Sequence, residues 1–308
     1  MTRKEITERW LENSQAVALE KIQKLLLRGG ELSHKLSPFG FCENKSDFRG
    51  LLVDKLTLKN NKLENIDFSF SDFERTWIEK SLFKQCVFIS VNFSEFSDHG
   101  NKFKECTFIN CKFSGAAIGY DGSLFESCIF EKSNFTRTLF SRPEFVNCLF
   151  KLCRLKNIDF NASYFEDCNF EGALADIWFR GGFPSVSDIE YFGTPKKNKM
   201  KNVSFENAEL NDLTFSDDCD LSTVKIRNTN CYKYDNWDER LQFLKSKINN
   251  WDNQNEKKEA ERFVWVYSVH SKNQKWYIIN VDDIIRMFGK QVAVKIVGIL
   301  NDWHLCSP

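Results

Sequence analysis

A bulky apolar residue, most often Phe, returns at every fifth position through the middle of this 308-residue chain. The series starts at Phe48, Val53, Leu58, Leu63, Phe68 and Phe73 and runs on to Ile118. After a slip of two residues it resumes at Phe125, Phe130, Phe135, Phe140 and Phe145 and runs to Phe170. Only Asp98 breaks the first phase. Two positions before each of these stands a second inward candidate, usually Cys, Ser, Thr, Ala, Val or Ile. A period of five fits neither a helix at about 3.6 residues nor a strand at about 2. It predicts a repeat architecture.

The cysteines reveal a longer period within the short one. Cys86 and Cys106 are twenty residues apart, and so are Cys128, Cys148 and Cys168 in turn. The wider step from Cys106 to Cys128 absorbs the two-residue slip. Four five-residue units therefore make one turn, and equivalent residues stack turn upon turn at roughly 4.8 Å, the spacing of paired strands. About six turns predict a four-sided rod roughly 30 Å long at that spacing. The stacked cysteines read as a structural ladder of free thiols, because free Cys packs as a small hydrophobe.

The flanks follow a different pattern. Thr2 and Glu5 form a capping box, and Ile6, Trp10, Leu19, Ile22 and Leu26 recur at helical spacing until Gly29-Gly30. This segment predicts a helical cap over the first turn, whose edge would otherwise be bare. From Tyr232 the chain is rich in aromatics, and helices are expected over 237–249, over 256–270 and from Asp282 or Asp283 onward. The last carries Ile284, Phe288, Val292, Ile296 and Leu300 on one stripe. The expected division is a helical cap (1–45), a repeat coil (46–172), an insertion loop (173–202), a final coil turn (203–231) and an aromatic-rich helical unit (232–308).

The five-residue motif, a small residue, a polar one, Phe or Leu and two polar ones, resembles the pentapeptide-repeat family. ECTFINCKFSG, ESCIFEKSNF and EDCNFEG carry the likeness. The resemblance implies an all-β solenoid, a right-handed quadrilateral β-helix, here with an α-helical N-terminal cap and a mainly α-helical C-terminal unit. Some members of the family mimic duplex DNA and protect type II topoisomerases such as gyrase from quinolones, dimerising through a C-terminal helix. Such a homodimer contact is an expectation for the C-terminal unit here.

Lys+Arg and Asp+Glu both number 43, so the formal net charge is zero. Direct nucleic-acid binding is not expected of a chain without a basic surplus, and an acidic DNA mimic gains no support either. No CxxC pair, HExxH, GxSxG, P-loop or GxGxxG occurs, so no catalytic, cofactor or metal site is expected. Free-thiol ladders suit a reducing compartment, and the charged N-terminus has no apolar signal core, which makes the cytoplasm the expected location. No apolar run reaches the roughly 20 residues of a membrane span.

What remains is recognition. Three irregularities interrupt the coil: SEFSDHGNKF, IGYDGSLF and the long segment after Leu174. Counting by turns places His99, Tyr120, Asp121 and Arg142 along one corner. Trp178, Phe179 and Arg180 fall in the expected insertion, where aromatics beside Arg make good anchors. These seven are the candidate partner-binding residues. The expected function is a non-enzymatic scaffold for a protein partner, the alternatives being gyrase protection and a bacterial effector or peripheral membrane scaffold.

Overall fold

The computed structural model describes residues 1–227, 229–271 and 274–303. Its centre is a β-solenoid of about nine turns. The first side stacks Lys62–Glu64, Leu82–Lys84, Lys102–Lys104, Leu124–Glu126, Glu144–Val146 and Tyr164–Glu166 as parallel strands. The second stacks Lys45–Asp47, Ile66–Asp67, Val87–Ile89, Thr107–Ile109, Ile129–Glu131 and Leu149–Lys151, and runs on into the long strands Asn169–Arg180 and Ser204–Ser216. The third is held by single bridges through Leu52, Asp72, Asn92, Lys112, Asn134 and Arg154. The fourth stacks Thr57–Lys59, Trp77–Glu79, Ser97–His99, Ala117–Tyr120 and Leu139–Phe140.

The fivefold register is the core. Phe88 and Phe108 stack with centroids 4.7 Å apart and planes 2° from parallel, and Phe113 and Phe135 at 4.8 Å and 1°. Those distances equal the strand spacing, so each ring rests on its equivalent one turn away. Burying one such side chain contributes about 1.5–3 kcal/mol. Chain reversal at the corners requires the left-handed region. Arg75, Lys80, Gln85 and Ser90, two residues past successive inward positions, all have φ between 49° and 56°. That conformation costs an L-residue about 1–2 kcal/mol. It is offset because the corner amides bond to the next turn: Lys80 N donates to His99 O at 2.9 Å and Gln85 N to Lys104 O at 2.8 Å.

The cysteine ladder lies inside the coil. The thiols of Cys86, Cys106, Cys128, Cys148 and Cys168 donate to carbonyls of the preceding turn, Cys86 Sγ to Leu63 O at 3.2 Å. All five are buried.

The N-terminal cap consists of α1 (Arg3–Glu8) and α2 (Asn13–Leu27). The Thr2–Glu5 box is formed in both directions. Trp10 is fully buried and stacks toward Phe48 at 6.4 Å, closing the first turn. Arg9 reaches into the coil to a nearly buried Asp47, at 2.6 Å. Burial pushes the Asp47 carboxyl up, but hydrogen bonds from Arg49 and Arg9 outweigh it and hold it at about 2. Gly50 is required here: a Cβ on it would stand 2.5 Å from Ile6 O.

Two features differ from the sequence expectation. The coil does not end near 172: Leu174, Ile177 and Phe179 remain inside it on the strand Asn169–Arg180. The excursion is confined to 181–197, contains α3 (Val186–Phe192), and ends where Asn198 Oδ1 accepts Phe165 N at 3.1 Å. The chain also breaks its last helix. Gly289, at φ 88°, separates α6 (Val281–Phe288) from α7 (Lys290–Asp302), which follow α4 (Trp237–Ile248) and α5 (Gln254–His270). Ile284, Phe288, Val292, Ile296 and Leu300 are all buried within the chain. The stripe packs this unit together within the chain. The unit closes the far end of the coil, Tyr277 meeting the ring of Phe215 edge-on at 6.0 Å.

Candidate partner-binding edge

The corner joining the fourth side to the first brings the two suspected regions together. On the fourth side Ile78 and Asp98 point inward, so their neighbours Trp77 and Ser97 point out. The His99 ring lies flat on Trp77, with centroids 3.6 Å apart and planes 14° from parallel. Tyr120, one turn on, lies 5.3 Å from His99. The next ring in the row is Phe192 at the end of α3, edge-on to Tyr120 at 5.2 Å, and Phe183 stacks on it at 5.6 Å. The insertion thus folds back onto the irregular corner and extends its aromatic row. Trp77 is 40% exposed and Tyr191 80% exposed, so the row has an open rim.

Arg142 sits where the two segments meet. Its guanidinium passes beside Gly122 and Gly193: a Cβ on the first would be 3.0 Å from Nη1, and one on the second 3.4 Å from Nη2. Its buried Nε has no hydrogen-bond partner among the described residues. Asp121 is exposed and approaches His99 Nδ1 at 3.7 Å. Burial pushes His99 below the ordinary imidazole value, and the Asp121 carboxylate opposes that shift.

Ser97, His99 and Asp121 have the residue types of a hydrolytic triad, with Ser97 Oγ 2.8 Å from His99 Nε2. The arrangement does not meet the other requirements. At 3.7 Å the Asp121 contact is too long for an orienting hydrogen bond. The Ser97 amide is committed to Thr76 O at 3.0 Å and the Gly100 amide to Tyr120 O at 2.7 Å, so neither is available to an oxyanion.

Three of the seven sequence candidates need correction. Phe179, expected as an exposed anchor, is fully buried and stacks between Phe160 at 5.2 Å and Phe215 at 5.6 Å. The fivefold register, shortened by a residue in this turn, still places it inward. Arg180 is held by Asp159 at 2.9 Å and Asp217 at 3.2 Å. Trp178 carries the Arg180 guanidinium on its face at 4.3 Å and meets His270 edge-on at 5.5 Å, and so faces the C-terminal unit. These two belong to the coil wall, and none of the three to the loop. The lysines of the insertion are partly tethers: Lys196 lies 3.6 Å over Tyr164 and pairs with Glu144 at 3.3 Å.

Two elements of the edge escaped the sequence reading. One is Trp77, whose outward register position is its only signal. The other is a polar ladder in the small inward position of the first side: Asn61, Ser81, Asn101, Ser123, Ser163 and Asn198. Within it Ser81, Asn101 and Ser123 each accept the amide of the counterpart one turn back, Asn61 N to Ser81 Oγ at 3.0 Å, Ser81 N to Asn101 Oδ1 at 2.8 Å and Asn101 N to Ser123 Oγ at 3.0 Å. Pro143 has no N–H to give, and Ser163 Oγ is left without a hydrogen-bond partner among the described residues. Beside this ladder lies Asp98, fully buried, its carboxylate bonded by Asn101 Nδ2 at 2.6 Å and Gly119 N at 2.9 Å. Burial pushes its value up to about 6 against those hydrogen bonds.

Among the described residues no cluster of three or more His, Cys, Asp or Glu could hold a metal ion. No helix among them is long and apolar enough to cross a membrane. Stacked four-sided turns, Phe ladders and left-handed corners define a β-solenoid built on pentapeptide repeats. No family model matches the sequence, and no curated protein matches it. Solved structures similar to this chain include a trypsin-treated variant of QnrB1, a plasmid-mediated fluoroquinolone resistance protein. It is 16% identical over 59% of this chain and 90% of that one, at a TM-score of 0.36. HetL, a pentapeptide repeat protein involved in heterocyst differentiation regulation from the cyanobacterium Nostoc, is 15% identical over 59% of this chain and 87% of that one, at 0.26. These overlays are loose, and the fold class rests on this chain's own register.

Proposed function

We propose that this protein is a non-enzymatic scaffold that docks a protein partner along the edge built from Trp77, His99, Tyr120, Asp121, Arg142 and the insertion helix α3. The observation that carries this reading is the contact of Tyr120 with Phe192, which joins a coil corner and a long insertion into one aromatic strip. Aromatic side chains anchor interfaces at low entropic cost, and a rigid stacked coil loses little freedom on binding. The balanced charge, 43 basic against 43 acidic residues, supplies no acidic rod for mimicry of duplex DNA, so gyrase protection is the weaker reading.

Co-purification from native lysate with mass spectrometry identifies the partner. A partner retained by the wild type and lost from Tyr120→Ala and Tyr191→Ala, with melting midpoints within a few degrees of wild type, supports the edge. A partner retained equally by both variants overturns it. A gyrase supercoiling assay with added protein separates the second reading, which fails if neither supercoiling nor quinolone-stabilised cleavage changes.

A further inference from the structure

Where the last coil strand meets the C-terminal unit there is a cavity of about 140 Å³. It is remote in sequence from the aromatic edge. One wall is the coil strand Ser204–Ser216, which contributes Leu210, Asp212, Leu213 and Thr214. The opposite wall is α5 and α6 with the strand Tyr277–Asn280 between them. Much of the lining is aliphatic, including Leu210, Leu213, Val266, Ile279 and Met287. Apolar walls with a few convergent polar groups are the usual make-up of a small-molecule site.

The polar groups carry a definite charge. Asp283 is nearly buried; its Oδ2 accepts Asp212 N at 2.7 Å and its Oδ1 accepts Arg286 Nη2 at 2.9 Å. The Asp212 carboxylate also contacts Arg286. Two carboxylates thus share one guanidinium, leaving a formal surplus of one negative charge at the cavity wall. The side chain of Arg286 is 55% exposed, so much of its charge is spent on solvent, whereas that of Asp283 is 8% exposed. Burial pushes the Asp283 carboxyl up despite the Arg286 contact, so the pairing only partly offsets the cost of burying its charge.

Tyr267 is the independent observation. It is 9% exposed and lines the cavity, and its hydroxyl has no hydrogen-bond partner among the described residues. Burial, followed by the neighbouring Tyr277, Asp283 and Asp212, pushes the phenol well above its ordinary value, so it remains a neutral hydroxyl. A hydroxyl oxygen has lone pairs free to accept from a cationic donor. Nearly all buried hydroxyls find a partner, and here the open side is the cavity.

We propose that this cavity binds a small organic ammonium ion, with its charge against Asp283 and Asp212, its N–H groups on Tyr267 Oη, and its aliphatic body between Leu210, Leu213 and Met287. A bare metal ion would leave the aliphatic wall unused. An anion would meet the carboxylates.

Ligand-observed NMR and calorimetry on the full chain test this with isobutylamine as probe, isobutanol as its neutral isostere and isobutyrate as its opposite charge. Saturable binding of the amine is expected, at least about tenfold tighter than that of the alcohol, with none of the acid. Asp212→Asn, which keeps the backbone donor to Asp283, and Tyr267→Phe should each weaken the amine about five- to tenfold. The proposal is overturned if the amine does not saturate, if the alcohol binds as well, or if folded forms of both variants bind the amine like wild type. Should either variant fail to fold, the contrast between amine and alcohol on the wild type decides.

Discussion

Asn101 Nδ2 donates to the carboxylate of Asp98 at 2.6 Å in the interior of the coil, where every neighbouring turn carries Ile or Phe. The equivalent residues one turn either side are Ile78 and Ile118. The carboxylate is accommodated because the extra residues after Ile118 form a bulge whose Gly119 N–H turns toward it. Gly119 has φ 90°, and a Cβ there would be 2.6 Å from the Pro143 ring, so the bulge needs glycine.

A pH dependence follows. The folded value of Asp98 is about 6, against 3.8 when exposed. The folded state therefore holds this proton more tightly. The associated stability is present in full below pH 3.8 and is lost as pH rises from there to about 6. The loss is on the order of 3 kcal/mol, from about 1.4 kcal/mol per unit. Urea melts of wild type and Asp98→Asn from pH 4 to 8 should show a falling contribution in the wild type alone. Asp47 acts in a separate window: its depressed value gives stability that is present above 3.8 and lost only as pH falls toward 2. If the difference between wild type and Asp98→Asn is flat from pH 4 to 6, Asp98 is ionised throughout.

Phe179 and Tyr191 should separate scaffold from surface. Phe179→Ala removes a fully buried ring between Phe160 and Phe215 and should cost about 3–5 kcal/mol. Tyr191→Ala removes a ring that is 80% exposed and should change stability by less than about 0.5 kcal/mol. Chemical denaturation measures both. A mild Phe179 variant would mean that the coil does not continue through Arg180.

Thiol labelling tests the ladder. The chain has eleven cysteines. Cys86, Cys106, Cys111, Cys128, Cys148, Cys153, Cys168 and Cys219 are buried, whereas Cys42 and Cys231 are partly accessible. Burial pushes the thiols of Cys111 and Cys153 up to about 12, and a protonated thiol is a poor nucleophile. Ellman's reagent on native protein should react with Cys42 and Cys231; Cys306 lies outside the described residues. The remaining eight should react only on unfolding. Rapid native reaction at any ladder position, read by mass spectrometry, would contradict the stacked core.

Local periodicity determined the coil. Each inward Phe is specified by its own position in a five-residue unit, and stacking only repeats that rule turn upon turn, so sequence alone displays the register, the cysteine ladder and the corner where His99, Tyr120 and Arg142 gather. The capping box and the helices α4 and α5 were legible for the same reason, being set by contacts a few residues apart. Other features depend on contacts between residues far apart in the chain, which leave no period. The docking of Phe192 on Tyr120, the burial of Phe179, the carboxylates that hold Arg180, the break at Gly289 and the cavity between Asp212 and Tyr267 are of this kind. In each, one side chain's fate depends on which distant surface covers it, and only the tertiary structure decides that.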